Sequence, residues 1–501
     1  MSSAIHSRVL VGMTAHPVVI ECHVSAGLPG TTIVGLPEGA VREARDRVRS
    51  AIKNSRFDYP DGRIVINLAP GNVAKSGPLL DLPIAMGVLT ATRQLPATRV
   101  QGYEFLGELS LYGALRGVRG ALACAMAAGR AGRRLVLPAA NSADAALAPS
   151  LRLCLADSLA QVVAALRDEG ASWTRPPAEG TPAPPAPSRL DKVLGQQAAK
   201  RALTVAAAGG HHVLMVGPPG AGKTLLAQGI GELLPPLEEA ARLEVAAVYS
   251  AAGYSRGVSR AAPFRDPHHS STGQALLGGG TPPRPGEVAL AHHGVLFLDE
   301  VPHFKPSVLN LLREPIESGE VAIARASFTA CYPCRFQLLA AMNPCPAGRT
   351  CEPDACRCTP QQVTGYQARL SGPLLDRIDL HVPVPALSED VLTRLADDGH
   401  SRSATELRAD VARARAVQLD RQGHLNSTLG TAALRAQIAE AGADAVSLKA
   451  AIARHRLSAR SYQKVWRVAR TIADLADSTT IGAAHLAEAF GYRAIDWEAG
   501  A

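Results

Sequence analysis

Apolar positions along the chain recur with two different periods, and the two alternate over much of its length. Val41, Ala44, Val48 and Ile52 stand three or four residues apart, which places them on one face of a helix. Leu82–Leu89 and Ala121–Ala131 read as further helices. Between them, short runs at Arg63–Leu68 and Leu135–Leu137 read as strands. This mixture predicts an α+β domain over residues 1–172. Thr174–Arg189 then holds six prolines in sixteen residues. A run so poor in backbone donors and so restricted in φ excludes a helix or a central strand, and predicts a semi-extended linker over 173–189. Beyond it, His211–Val216, Val295–Leu298 and Phe336–Ala341 are apolar runs of buried-strand length, the first leading into a glycine-rich turn and a helix. They predict an α/β core over 190–387. From Ser388 onward only helical spacing is found, so 388–501 is expected to be all-helical, and no fixed-period repeat runs through the chain.

Composition narrows the class. The chain has 501 residues, 47% of them apolar and 19% charged, enough to build more than one core. No run approaches the roughly 18 apolar residues of a membrane span. Met1–Ile20 carries His6, Arg8 and His16 without a long apolar segment, so a cytoplasmic protein is expected. The net charge is +8, and residues 401–470 alone hold 13 Lys and Arg against 5 Asp and Glu. Such a segment points either to a polyanionic partner or to an ordinary solvated helical face. Six of the nine cysteines lie between Cys331 and Cys358. In a chain of this kind that clustering reads as thiols, free or metal-bound, and not as a disulfide framework.

The chemistry is concentrated in the central block. Gly217, Pro218, Pro219, Gly220, Ala221, Gly222, Lys223 and Thr224 match G-x-x-x-x-G-K-[ST] without a mismatch. The glycines let backbone N–H groups turn around phosphates, and the following helix points its positive end at them. Lys223 is expected to reach the β- and γ-phosphates of ATP, and Thr224 to ligate Mg²⁺. Val295–Leu298 ends in Asp299 and Glu300, the first suited to the Mg²⁺ shell and the second to activating a water. Asn343, after another apolar run, is placed to hold that water, although an Asn before Pro344 is also an ordinary turn residue.

With these residues in view, the chain resembles the magnesium-chelatase-like group of AAA+ ATPases. Leu296–Glu300, Leu312–Glu320, Ala340–Pro344 and Ser371–Asp379 follow that group's order of LFLDE, LREPIESGE, AAMNP and SGPLLDRID. The match is best to its YifB or ComM subgroup, which is associated with bacterial competence and pairs the motor with an N-terminal Lon-protease-like (ribosomal S5 domain 2-like) domain. Gly35–Pro37, Asn67–Pro70 and Asp81–Ala85 carry that part of the resemblance. It implies an AAA+ P-loop core with a C-terminal helical lid domain. It also implies Asn343 as sensor 1, Arg377 as an arginine finger reaching a neighbour's ATP, and Arg460 as sensor 2. Read without the family, Arg377 can equally pair with Asp376 or Asp379, and Arg460 can be a surface residue. A finger acting in trans implies a ring, and a homohexamer is the family's usual form.

The resemblance also implies pore-facing inserts, matched here by Ser250–Pro285, with Arg256, Arg260, Arg265, His268 and His269, and by a hairpin over Val321–Pro333. Basic loops at a pore can track a nucleic-acid backbone without reading bases, or can be plain solvated loops. In the family's K-x-G-P-S protease pattern this chain has Leu79 at the nucleophile position after Lys75-Ser76-Gly77-Pro78, and no lysine follows until Lys192. A serine with no group to take its proton is a poor nucleophile, so the first domain is expected to be non-proteolytic. Cys345, Cys351, Cys356 and Cys358 offer four soft ligands for a structural Zn²⁺, with Cys331 and Cys334 as an extra pair, and free loop thiols as the alternative.

The function expected from the whole is an ATP-driven ring motor on single-stranded and branched DNA. It would promote branch migration during recombination in natural transformation, beside other recombination proteins and away from membranes. The alternative is a chelatase-type motor that remodels a protein partner.

Overall fold

Two sheets, one on either side of the proline-rich linker, organise the chain. The computed structural model describes residues 2–75, 77–147, 151–167, 173–174, 188–254, 259–280, 282–325, 328–348, 356, 358–386, 402–440 and 458–493. The first sheet contains β1 (Ser2–Val11), β2 (Thr14–Ser25), β3 (Gly30–Val34), β4 (Arg63–Ala69), β5 (Tyr103–Phe105), β6 (Arg134–Pro138) and β7 (Leu153–Ala156). Their spatial order is β3-β4-β2-β1-β5-β6-β7, with β2 antiparallel to both β1 and β4 and the other pairs parallel.

Helix Gly39–Asn54 turns Val41, Ala44, Val48 and Ile52 into the core against Ile5, Ile20 and Ile66 of this sheet. Helix Asp81–Ala91 is buried on every side, which is why its sequence is apolar all round. The long β1–β2 pair has no counterpart among the expected strands. Polar residues interrupt its alternation at core positions, notably Arg8, whose guanidinium meets the Glu104 carboxylate at 2.7 and 3.0 Å.

The second sheet contains β8 (Val213–Val216), β9 (Phe264–Arg265), β10 (Val295–Leu298), β13 (Gln337–Met342) and β14 (Leu380–Pro383), all parallel and ordered β9-β10-β13-β8-β14. Between β10 and β13 the chain makes an antiparallel hairpin from β11 (Glu320–Arg325) and β12 (Phe328–Pro333). Helix Gln197–Gly209 brings Ala202, Val205 and Ala206 into a core shared with Val213, Met215 and Leu339 of the sheet and with Trp466, Ala469 and Ile472. Those last three come from the C-terminal helices, Ala404–Gln422, Thr431–Glu440, Ala459–Leu475 and Ala483–Gly491. No strand occurs among the described residues from 402 on. None of the described helices is long and apolar enough to cross a membrane.

The two sheet domains touch directly. Leu122, Ala123 and Leu147 pack on Ala246 and Ala247, and the Gly120 N–H reaches the Ser250 carbonyl at 2.9 Å. At the β1–β2 turn, the Met13 N–H donates to Cys331 of the hairpin at 3.3 Å.

Several cations of the basic C-terminal segment are used inside the protein. Arg421 and Arg470 both bind the fully buried Asp474 carboxylate, at 2.7 and 2.8 Å. Arg413 bridges Asp410 and Asp477, while Arg415 and Arg467 donate to the Ala207 and Leu429 carbonyls. Among the described residues, Arg408, Arg435 and Arg460 of this segment remain exposed. Asp474 also accepts from Asn426 at 2.8 Å, so three elements converge on one carboxylate. Asp474→Ala should strand two guanidinium groups and cost about 3–5 kcal/mol. Thermal unfolding should show a clear drop in midpoint, with Asp474→Asn, which keeps an acceptor, losing less.

Candidate nucleotide site

The glycine-rich turn leaves β8 in a crowded corner. A Cβ on Gly217 would stand 2.0 Å from the Val384 carbonyl oxygen, so only glycine fits where the chain passes β14. Gly222, at φ +89°, takes the left-handed conformation that ends the turn and starts helix Lys223–Leu233. The helix therefore opens on the turn with its first N–H groups directed there, a ready site for a phosphate.

Four side chains meet at this point. The Lys223 ammonium donates to the Gly217 carbonyl at 2.7 Å, the Pro218 carbonyl at 2.8 Å and Asn343 Oδ1 at 3.0 Å. The Thr224 hydroxyl donates to Asp299 Oδ2 at 2.7 Å. Thr224 and Asp299 thus present adjacent oxygens of the hard kind that suits Mg²⁺. Glu300 follows in a left-handed conformation, φ +48°, ψ +45°, which is uncommon for a residue with a side chain and bends the chain off the strand. Its exposed carboxylate lies 3.9 Å from His269 Nδ1. Asp266, just past β9, is a further acid here; burial and the Asp299 charge push its carboxyl above the ordinary value. No sequence pattern marks Asp266, because strand order, and not spacing, brings it near Asp299.

Asn343 is covered from the other side. A Cβ on Gly348 would lie 3.1 Å from Pro219 and 3.3 Å from Asn343 Nδ2, so the loop after Asn343 folds over the glycine-rich turn. That loop holds Cys345, which is buried with its sulfur 3.6 Å from Cys356. The sulfurs of Cys345, Cys356 and Cys358 all lie within 4.8 Å of one another. A tetrahedral zinc with bonds of about 2.3 Å sets its sulfurs about 3.8 Å apart, so three ligands fit. The fourth expected ligand, Cys351, lies outside the described residues. Cys331 and Cys334 do not join them: Cys331 is exposed, and Cys334 is buried with its sulfur 3.9 Å from the Pro315 carbonyl.

A second group, Glu244, His292 and His293, is also close enough to suggest a metal. There, however, His292 Nδ1 accepts the Arg335 N–H at 3.1 Å, so the neutral ring carries its proton on Nε2 and donates it to Glu244. Burial, reinforced by His293, pushes this imidazole down to about 4 and keeps it neutral, and no lone pair is left for a metal.

Two expected site residues are not hydrogen-bonded to this group. Arg377 is inward-facing, with Nη2 2.6 Å from Glu317 and Nη1 donating to the Pro373 carbonyl at 2.6 Å. It pairs with neither Asp376 nor Asp379. Arg460 is exposed on the first turn of helix Ala459–Leu475. Among the insert residues, Arg265 is neutralised by Glu287 at 2.6 Å, His268 stacks on His269 at 4.1 Å, and Arg256 lies outside the described residues. In the first domain Lys75 is buried against the Pro70 carbonyl, burial lowers its pKa, and Ser76 lies outside the described residues.

Comparison with known proteins agrees with this geometry. Residues 189–392 match the family described as magnesium chelatase, subunit ChlI. Residues 20–141 match subunit ChlI of Mg-chelatase, and 401–493 its C-terminal part. The chain is 45% identical to the protein YifB of Salmonella typhimurium, covering 99% of this chain and 98% of that one. It is 43% identical to competence protein ComM of Haemophilus influenzae over the same shares. A stretch of 153 residues is 30% identical to Lon protease 2 of Bacillus subtilis, 28% of each chain.

Proposed function

Since the chain belongs to the magnesium-chelatase-like AAA+ family of YifB and ComM, we propose that it is an ATP-hydrolysing hexameric ring motor that drives branch migration of DNA during natural transformation. The observation that carries the ATPase is the convergence of Lys223, Thr224, Asp299 and Asn343 at the ends of three parallel strands. The competence assignment rests on full-length similarity to ComM.

In the proposed cycle, ATP takes the place of the Gly217 and Pro218 carbonyls at Lys223, whose ammonium moves to the β- and γ-phosphates. Thr224 and Asp299 would hold Mg²⁺, which would neutralise phosphate charge there. Glu300 takes a proton from the attacking water, Asn343 fixes that water, and the bond from the γ-phosphorus to the bridging oxygen breaks. ADP and phosphate are released, and Glu300 returns its proton to solvent. Arg377 completes the neighbouring subunit's site once it leaves Glu317. Arg460 acts as sensor 2 from helix Ala459–Leu475. Cys345, Cys356 and Cys358, with Cys351, would hold a structural zinc.

A second reading, a motor acting on a protein partner, draws on the internal pairing of Arg421, Arg470 and Arg415, which takes those cations away from any polyanion.

Hydrolysis measured without DNA, with single strands, with duplex and with a four-way junction separates the two. The expected result is stimulation by branched DNA and ATP-dependent junction resolution, both lowered about 10²-fold or more by Lys223→Ala. Hydrolysis indifferent to every DNA would move the weight to the protein-partner reading. The zinc assignment predicts near-stoichiometric metal in protein purified without chelators, lost in Cys345→Ser. Less than about 0.2 zinc per chain would leave the thiols free.

A further inference from the structure

The segment that carries Arg377 is gripped by the C-terminal helices. Two residues beyond Arg377, Asp379 is buried; its Oδ2 accepts the His212 N–H at 2.8 Å and its Oδ1 lies 2.9 Å from Lys464 Nζ. Lys464 belongs to helix Ala459–Leu475. The Ile378 carbonyl, between Arg377 and Asp379, accepts from Arg493 at 2.7 Å, and the His381 N–H donates to the Tyr492 carbonyl at 2.8 Å. Both of these follow helix Ala483–Gly491. Burial works against ionisation of Asp379, yet Lys464 and the adjoining His211 and His212 outweigh it and hold the carboxyl well below the ordinary carboxylate range. A charged pair removed from water is little weakened by salt, and its hydrogen-bond geometry resists sliding as apolar contact does not.

Arg460 sits on the same helix exactly one turn's spacing (i, i+4) before Lys464, so both lie on one face. The geometry points to Lys464 as a positioning residue, through which the helix bearing Arg460 sets the place of Arg377. This rests on the reading of Arg377 as the group that completes a neighbour's site, and adds how that group is aimed. In the single subunit Arg377 is only 11% exposed and is held by Glu317, itself half-exposed. A displacement of helix Ala459–Leu475 is passed by Lys464 to Asp379 and over two residues to Arg377. The C-terminal helices thereby set how Arg377 is presented to the neighbouring subunit.

Mixed rings test this. Wild-type subunits are combined with a roughly tenfold excess of subunits that carry Lys223→Ala alone, Lys223→Ala with Arg377→Ala, or Lys223→Ala with Lys464→Met. The excess subunits have no working site of their own, so any further loss is inflicted on the wild-type neighbour. Lys464→Met is expected to deepen the loss about fivefold beyond Lys223→Ala alone, matching Arg377→Ala, because a displaced catalytic group loses most of its effect. The KM for ATP of the remaining activity should stay within about twofold, and Lys464→Arg should restore it. If Arg377→Ala adds nothing, the finger reading fails and the inference falls with it. If Arg377→Ala deepens the loss and Lys464→Met does not, the inference alone is overturned. Should Lys464→Met not fold, Asp379→Asn, which keeps an acceptor for the His212 N–H, carries the same comparison.

Discussion

Everything at the nucleotide site depends on the register of a parallel sheet. Val216 of β8 stands opposite Met342 of β13 and Pro383 of β14, so the next residues, Gly217, Asn343 and Val384, leave the sheet side by side. On β13's other flank Leu298 stands opposite Ala340, which brings Asp299 and Glu300 out at the same edge. Parallel strands carry all their C-terminal ends to one side, where helix N-termini also begin. A one-residue slip of β13 would turn Asn343 away from Lys223. The apolar runs that made these strands recognisable are thus also what aligns the polar residues that end them.

That edge was legible because its signals are local. The turn's residue types follow from close backbone approach, and the acids stand at the end of a run buried on both faces, whereas the hairpin β11–β12 is expected only from the family resemblance. Helix Gly39–Asn54 was equally plain, since one of its faces is wet. The β1–β2 pair was not, because Ser7 and Arg8 sit in its buried centre and are satisfied by Phe105 and Glu104, roughly a hundred residues away. Nor does any spacing announce that Arg377 meets Glu317, or that Asp266 lies near Asp299. Contacts of this kind are set by strand order, which periodicity does not encode.

Charge shows the same limit from the other direction. The surplus between residues 401 and 470 is real as a count, yet Arg421 and Arg470 are spent on Asp474, Lys464 on Asp379, and Arg415 on a backbone carbonyl. Counting treats each cation as solvated, whereas the fold uses several to satisfy buried acceptors where helices cross.

The first domain illustrates what such contacts are for. Its protease pattern has a leucine at the nucleophile position, and its buried Lys75 is turned onto a carbonyl. It is nonetheless fixed to the motor at a demanding point. Gly12, at φ +61°, brings the β1–β2 turn so close to the hairpin that a Cβ there would lie 2.7 Å from the Cys331 carbonyl oxygen, and the Met13 N–H is bonded to that same oxygen. The base of β12 is therefore set from outside the ATPase core, while its following strand, β13, ends at Asn343. A movement of the hairpin must be made against the first domain at one end and against the nucleotide site at the other.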